Sequence, residues 1–123
     1  HFGEELEALK RRLLTMGELA QERLRVAVRA VVDRDSESLA GVIAGDSRID
    51  ELQVEIESQC FTLLALYQPV AIDLRTIVSV LKVSADLERV GDFAGSIGES
   101  GQRYFQAPRE EPNAESRPTQ APV

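Results

Sequence analysis

Apolar residues recur at steps of three and four along three long stretches of the chain. Between Glu4 and Val32 the repeat is Leu6, Leu9, Leu13, Met16, Ala20, Leu24, Ala27 and Val31, which is one face of a helix with 3.6 residues per turn. Between Ser36 and Leu66 it continues as Leu39, Val42, Ile49, Leu52, Ile56, Cys60, Leu63 and Leu66. From Pro69 to Gln106 it is Leu74, Ile77, Leu81, Val83, Leu87, Val90, Ala94 and Ile97. Asp35 or Ser36 is a natural N-cap for the second helix. Pro69 suits the first position of the third, where its missing N–H leaves no bond unmade. The links are short, DRDS over 33–36 and YQP over 67–69, and short links make consecutive helices antiparallel neighbours. The pattern therefore predicts an all-α fold over residues 1–106: an antiparallel up-down-up bundle of three long helices, each about 45 Å at ~1.5 Å per residue. No stretch alternates with period two, so no strand is expected.

Beyond residue 106 the character changes. PREEPNAESRPTQAPV holds four of the five prolines in the chain and no large apolar residue before the final valine. Residues 107–123 read as a disordered tail or linker. The whole chain, 123 residues with 43% apolar and 28% charged residues, has the size and composition of one globular domain. Its 14 basic and 21 acidic residues leave a charge of −7, which argues against nucleic acid or an anionic bilayer as a partner and admits cations as ligands. The single cysteine, Cys60, rules out an internal disulfide and sits among Ile56, Leu63 and Leu64, where a buried filler is expected. No apolar run approaches the ~20 residues that cross a bilayer, and none reads as a secretory leader, so the expected location is cytoplasmic, without direct membrane insertion.

One stretch breaks the apolar rhythm. In SADLERVGDFAG, residues 84–95, Glu88 and Asp92 are four apart and continue the side of the helix begun by Ile77 and Leu81. Like charges on a half-buried stripe cost free energy unless a cation offsets them. The second helix repeats the motif in DSRID, with Asp46 occupying the stripe position between Val42 and Ile49 and Asp50 one turn later. Folding the second and third helices about residue 67 or 68 sets Asp46 level with residue 89 and Asp50 level with residue 85. Two acidic pairs at one height make a candidate metal site. Oxygen-only ligation without histidine or thiol suits Mg²⁺, Mn²⁺ or Ca²⁺, and iron less selectively. Lys82, Arg48 and Arg89 are the alternative counter-charges, in which case the acids form salt bridges or a solvated face. In the same helix, Asp86 is expected to face solvent. Asp73 falls in the first turn, where a negative charge suits the helix dipole, with Arg75 beside it.

The segment QPVAIDLRTIVSVLKVSADLERVGDFAGSIGE, Gln68 to Glu99, resembles the signature of the PhoU family of phosphate-transport regulators. FGEELEALKRRLLTMGELAQ and DRDSESLAGVIAGDSRIDELQVEIE are similar to that family's first and second helices, so the likeness spans residues 2 to 106. The resemblance implies three-helix bundles, usually two in tandem, and metal ions held by E(D)-x-x-x-D motifs, here Glu88 with Asp92 and Asp46 with Asp50. Mg, Mn, Fe and Zn are all candidates for the bound metal. It implies a non-enzymatic negative regulator of the phosphate-starvation response, contacting a sensor histidine kinase and the ATPase of the phosphate ABC transporter, and thereby reaching the inner face of the membrane. Asp73, Arg75 and Arg89 become candidate partner-facing or regulatory residues. One departure stands out: a single bundle is present where the family usually has two. Either the chain is half-length, or two copies pair as a homodimer. The competing readings are a metal-dependent phosphoester hydrolase, for which the helical body offers no histidine and no Gly-rich phosphate loop, and a metal-independent helical adaptor.

Overall fold

The computed structural model describes residues 1–45 and 47–106; the tail expected over 107–123 and the aspartate at position 46 lie outside the described residues. Four helices follow one another: α1 (Phe2–Asp33), α2 (Ser36–Ala44), α3 (Ser47–Tyr67) and α4 (Ala71–Gln106). The bundle has three columns, α1, α2 with α3, and α4, and each column packs on the other two. Among the described residues there is no strand, and no helix is long and apolar enough to cross a membrane.

The turns follow local chemistry. α1 ends where Arg34 adopts the left-handed conformation, φ 54° and ψ 42°. The Asp35 N–H then reaches the Ala30 carbonyl at 2.9 Å and the Arg34 N–H reaches Val31 at 3.2 Å, which occupies two of the carbonyls that a helix end leaves open. Asp35 is the N-cap of α2, as the sequence predicts, and its side chain accepts from the Ser38 N–H at 3.1 Å. The long second helix expected over 36–66 is not continuous. Gly45 sits at φ 95°, a backbone state open to glycine and costly to other residues, and it separates α2 from α3. Pro69 does not occupy the first helical position: α4 starts at Ala71, and the Leu74 N–H bonds the Val70 carbonyl at 2.8 Å.

The core is thick at one end and thin at the other. Around α3 it is built from Leu9, Met16, Leu52, Ile56, Leu63 and Ile77. Burying each such side chain contributes roughly 1.5–3 kcal/mol against leaving it in water. Cys60 belongs to this layer; its Sγ lies 3.9 Å from the Ile77 carbonyl, and burial pushes the thiol up to about 11, so it packs as a small apolar group. Beside α2 the packed cluster is smaller, Ala27, Val42 and Ala94, with Leu39 and Ala30 also buried at that end. The α4 face responsible is Ile77, Ser84, Gly91 and Gly98 together with Val80, Ala94 and Gly101, all buried. This seam lies beside the stripe expected from Leu74, Val83 and their neighbours. Leu66, Leu74 and Val83 are exposed instead, and the two on α4 fall beside the seam rather than in it.

Gly98 and Gly101 are there for space. A Cβ on Gly98 would stand 3.1 Å from Ile43 Cγ1, and one on Gly101 would stand 2.8 Å from Val31 Cγ2 and 3.2 Å from Leu39 Cδ1. Val31 is β-branched and has little rotamer freedom with which to yield. Gly101→Ala is expected to destabilise the bundle by about 1–3 kcal/mol through overpacking. Gly41→Ala, in α2 with nothing within 4 Å of the new methyl, is expected to stabilise it by about 0.5–1 kcal/mol. Urea midpoints of the two variants against the wild-type chain check both signs.

Candidate functional site

Gly91 brings the acids of two helices together. With no side chain of its own it admits Ile49, whose Cδ1 lies 3.5 Å from where a Cβ would sit. Ile49 is buried in the first turn of α3. The next residue, Asp50, is thereby carried against Glu88, which precedes Gly91 by one helical turn. Asp50, Glu88 and Asp92 line one cleft of about 70 Å³ between α3 and α4, together with Gly45 and Arg23. That space is comparable to two water molecules at roughly 30 Å³ each.

Glu88 is the anomalous group. It is partly buried, and its Oε2 atom is wholly buried with no hydrogen-bond partner. Burial is the largest influence on it, followed by a hydrogen bond to Asp50 and the negative charges of Asp50 and Asp92; together they push its carboxyl from 4.5 up to about 7. Each of these disfavours the ionised form, so the pair holds a proton that a solvated glutamate would have released. Asp50 and Asp92 remain exposed at the mouth of the cleft.

Arg23 supplies the nearest cation, and the sequence pattern gave it no role. It projects from α1, donating from Nε to the Gly91 carbonyl at 3.1 Å and from Nη2 to the Val42 carbonyl. Val42 lies in the last turn of α2, and its carbonyl accepts the Gly45 N–H at 3.2 Å as well. One guanidinium thus ties α1 to α4 and to the end of α2, directly beside the break at Gly45. Its fork geometry fits two carbonyls at once. The only available signal was a charge placed between Ala20 and Ala27 on the buried side of α1.

The predicted site residues divide clearly. Asp50, Glu88 and Asp92 are brought together; Asp46 lies outside the described residues. Among the described residues, no three acids converge closely enough to enclose one ion. The three carboxylates offer oxygen donors alone, the type that hard cations take, and the buried Glu88 Oε2 oxygen has no hydrogen-bond partner. Two of the counter-charges that the sequence offered have other acids as partners among the described residues. Arg48 pairs with Glu51 at 3.6 Å and Glu55 at 3.7 Å. Arg89 pairs with Asp86, both exposed, so Asp86 faces solvent as expected and Arg89 points away from the cleft. Asp73 is half-buried in the first turn of α4, and Arg75 is exposed. Both stand about 20 Å along the helix from Glu88, at ~1.5 Å per residue.

Comparison with known proteins agrees with this architecture. The PhoU domain family model matches residues 13–101. The phosphate-specific transport system accessory protein PhoU homolog of Caulobacter vibrioides is 45% identical over 97 residues, which is 79% of this chain and 42% of that protein. The Escherichia coli accessory protein PhoU is 36% identical over 96 residues, 78% of this chain and 40% of that protein. The crystal structure of the phosphate transport system regulatory protein PhoU from Streptococcus pneumoniae superposes with a TM-score of 0.81 at 32% identity, covering 90% of this chain and 53% of that one. PhoU from Pseudomonas aeruginosa superposes with a TM-score of 0.81 at 36% identity, covering 89% and 54%. The chain spans less than half the length of these curated relatives. With residues 13–101 matching the PhoU domain and relatives 45% and 36% identical over most of its length, the chain belongs to the PhoU family.

Proposed function

We propose that this chain is a non-enzymatic regulator of phosphate uptake that binds a hard metal ion between α3 and α4. The observation that carries the reading is the match of residues 13–101 to the PhoU domain, together with relatives named for the phosphate-specific transport system. Its partners are a phosphate-sensing histidine kinase and the ATPase of the phosphate ABC transporter, through which it represses the phosphate-starvation response. Asp73, Arg75 and Arg89 are the candidate partner-facing residues, since the last two are exposed and all three lie away from the cleft.

The metal reading rests on Asp50, Glu88 and Asp92. These carboxylates hold the ion, with Asp46 as the fourth member of the two acidic pairs, and the ion supplies the positive charge that relieves their repulsion. Mg²⁺, Mn²⁺, iron and Zn²⁺ are the candidates, and the oxygen donors favour the harder ions. Arg23 keeps the α2 end and α4 in register, so the carboxylates meet the ion already placed. The non-enzymatic reading rests on the relatives, which are named as accessory and regulatory proteins.

Calorimetry with Mn²⁺ tests the site. Binding to the wild-type chain is expected to weaken roughly tenfold or more in Asp92→Ala and in Glu88→Gln, and to tighten from pH 6 to pH 8, because the ion displaces the Glu88 proton. Equal, weak heats in all three proteins would favour the metal-independent adaptor.

Without metal the same group makes stability depend on pH. Glu88 titrates near 7 in the folded chain against 4.5 as its reference value. The folded state therefore keeps a proton that the unfolded chain loses across that window. The stabilisation is complete below about pH 4.5 and is lost as pH rises through about 7. Urea midpoints in EDTA are expected to fall less between pH 5 and pH 8 for Glu88→Gln than for the wild-type chain; parallel curves would remove the pKa assignment.

The partner reading is tested separately with purified components. The chain is expected to bind the transporter ATPase or the kinase in the presence of Mn²⁺ and phosphate, measured by interferometry, and Arg75→Glu is expected to weaken that binding roughly tenfold. Absence of binding to both would overturn it.

A further inference from the structure

α1 and α4 run parallel: Leu87 lies against Gly17 near one end of the pair, and Val31 against Gly101 near the other. Two neighbouring grooves follow them, one along α1 of about 510 Å³ and one between α1 and α4 of about 340 Å³. Val32, Phe93 and Tyr104 line these grooves and are 70%, 60% and 69% exposed. Apolar side chains of that size, open together at a groove, mark a docking surface. α4 ends at Gln106, two residues beyond Tyr104. The turn after α1 pins that end: the Arg34 guanidinium sits 5.5 Å from the Tyr104 ring and 4.9 Å from the Phe105 ring, within cation–π range of both. The chain therefore leaves α4 at the mouth of the grooves.

We propose that the chain's own proline-rich segment, residues 107–123, turns back after Gln106 and docks along this apolar strip. The segment lies outside the described residues; its chemistry, spacing and charge select it as the occupant. Proline-rich stretches dock on aromatic-lined grooves as polyproline II, and they lose little freedom in doing so because that conformation is already extended. With three residues per turn in that conformation, Pro112 and Pro118 share one edge. They then stand about 19 Å apart at ~3.1 Å per residue. Phe93 and Tyr104 are close to three full helical turns apart, so they share one side of α4, with about 16 Å between them at ~1.5 Å per residue. The register that follows sets Pro112 on Tyr104 and Pro118 on Phe93. Residues 107–111 make the reversal, and Pro108 suits a turn there. Charge agrees. Glu110, Glu111 and Glu115 outnumber Arg109 and Arg117 in the segment, and the charged residues lining the groove along α1 are Arg25 and Arg29. Both arginines are held only in exposed pairs, with Glu22 and Asp33, and such pairs are exchanged at little cost. Tethering sets the effective concentration of the segment at roughly millimolar, so a weak contact suffices.

Nuclear magnetic resonance of the full 123-residue chain tests this. The Hδ protons of Pro112 and Pro118 are expected to shift upfield and to show Overhauser contacts with the Tyr104 and Phe93 rings, and both signals are expected to persist on dilution. Phe93→Ser is expected to return the Ala114 and Glu115 amides to random-coil positions. The pair Pro112→Ser and Pro118→Ser, which leaves every residue of the bundle in place, is expected to do the same with unchanged helical circular dichroism. Phe61→Ser, at an equally exposed aromatic of α3, is expected to leave the docked signals as they are. Random-coil positions for the whole segment in the wild-type chain overturn the proposal, as do contacts that survive the serine pair or vanish equally in Phe61→Ser. Contacts that vanish on dilution overturn it too, because they belong to a second copy. The strip shares no residue with the acidic cleft, so the result is independent of Mn²⁺ binding.

Discussion

Close approach at one side of α4 is the constraint on which the rest depends. Gly91, Gly98 and Gly101 are buried there, and each stands where another helix presses in: Ile49 of α3 on Gly91, Ile43 of α2 on Gly98, Val31 of α1 with Leu39 of α2 on Gly101. Interiors are packed tightly enough that a single methyl is felt. The glycines therefore set the separation of all three columns, at the cost of some helix propensity in α4. Where the columns are closest, Arg23 reaches across α1, α2 and α4 with one guanidinium.

The acidic cleft is a by-product of that closeness. Asp50 meets Glu88 because Ile49 seats on Gly91, and the two carboxyls are then held together whether or not a cation is present. The chain meets the repulsion by keeping a proton on Glu88, pushed up to about 7. A proton is a minimal counter-ion. Arg23 lines the same cleft, and the two hydrogen bonds it makes go to the Gly91 and Val42 carbonyls rather than to the carboxylates.

Much of this was legible in the sequence, and the gaps have physical causes. Leu9, Met16, Leu52, Ile56 and Ile77 announced themselves by size and spacing, and all are buried. Asp35 as N-cap and the common level of Asp50 and Glu88 followed from turn chemistry and from rise per residue. The break at Gly45 was missed because the apolar repeat runs through it from Val42 to Ile49, and periodicity does not register a single residue at φ 95°. The α4 seam was read only in part: Ile77 and Ala94 of the expected stripe lie in it, and the rest was missed for a related reason. Ser84, Gly91, Gly98 and Gly101 carry little hydrophobic weight, so a stripe drawn through the larger residues lands beside the true contact line. Arg23 was missed because its partners are backbone carbonyls, which leave no trace in side-chain patterns.

The placement of function on α4 follows from its periodicity. At about 100° per residue, Glu88 and Asp92 face the α3 side, while Phe93, Ile97 and Tyr104 face outward beside α1. The buried glycines lie between these two faces at the back of the helix. A helix this long, 36 residues, thus presents a polar cleft on one flank and an apolar strip on the other, with the core seam holding both in place. Sequence neighbours such as Asp92 and Phe93 belong to different surfaces for that reason alone. A substitution at either one acts on a different surface, and its effects carry no information about the other.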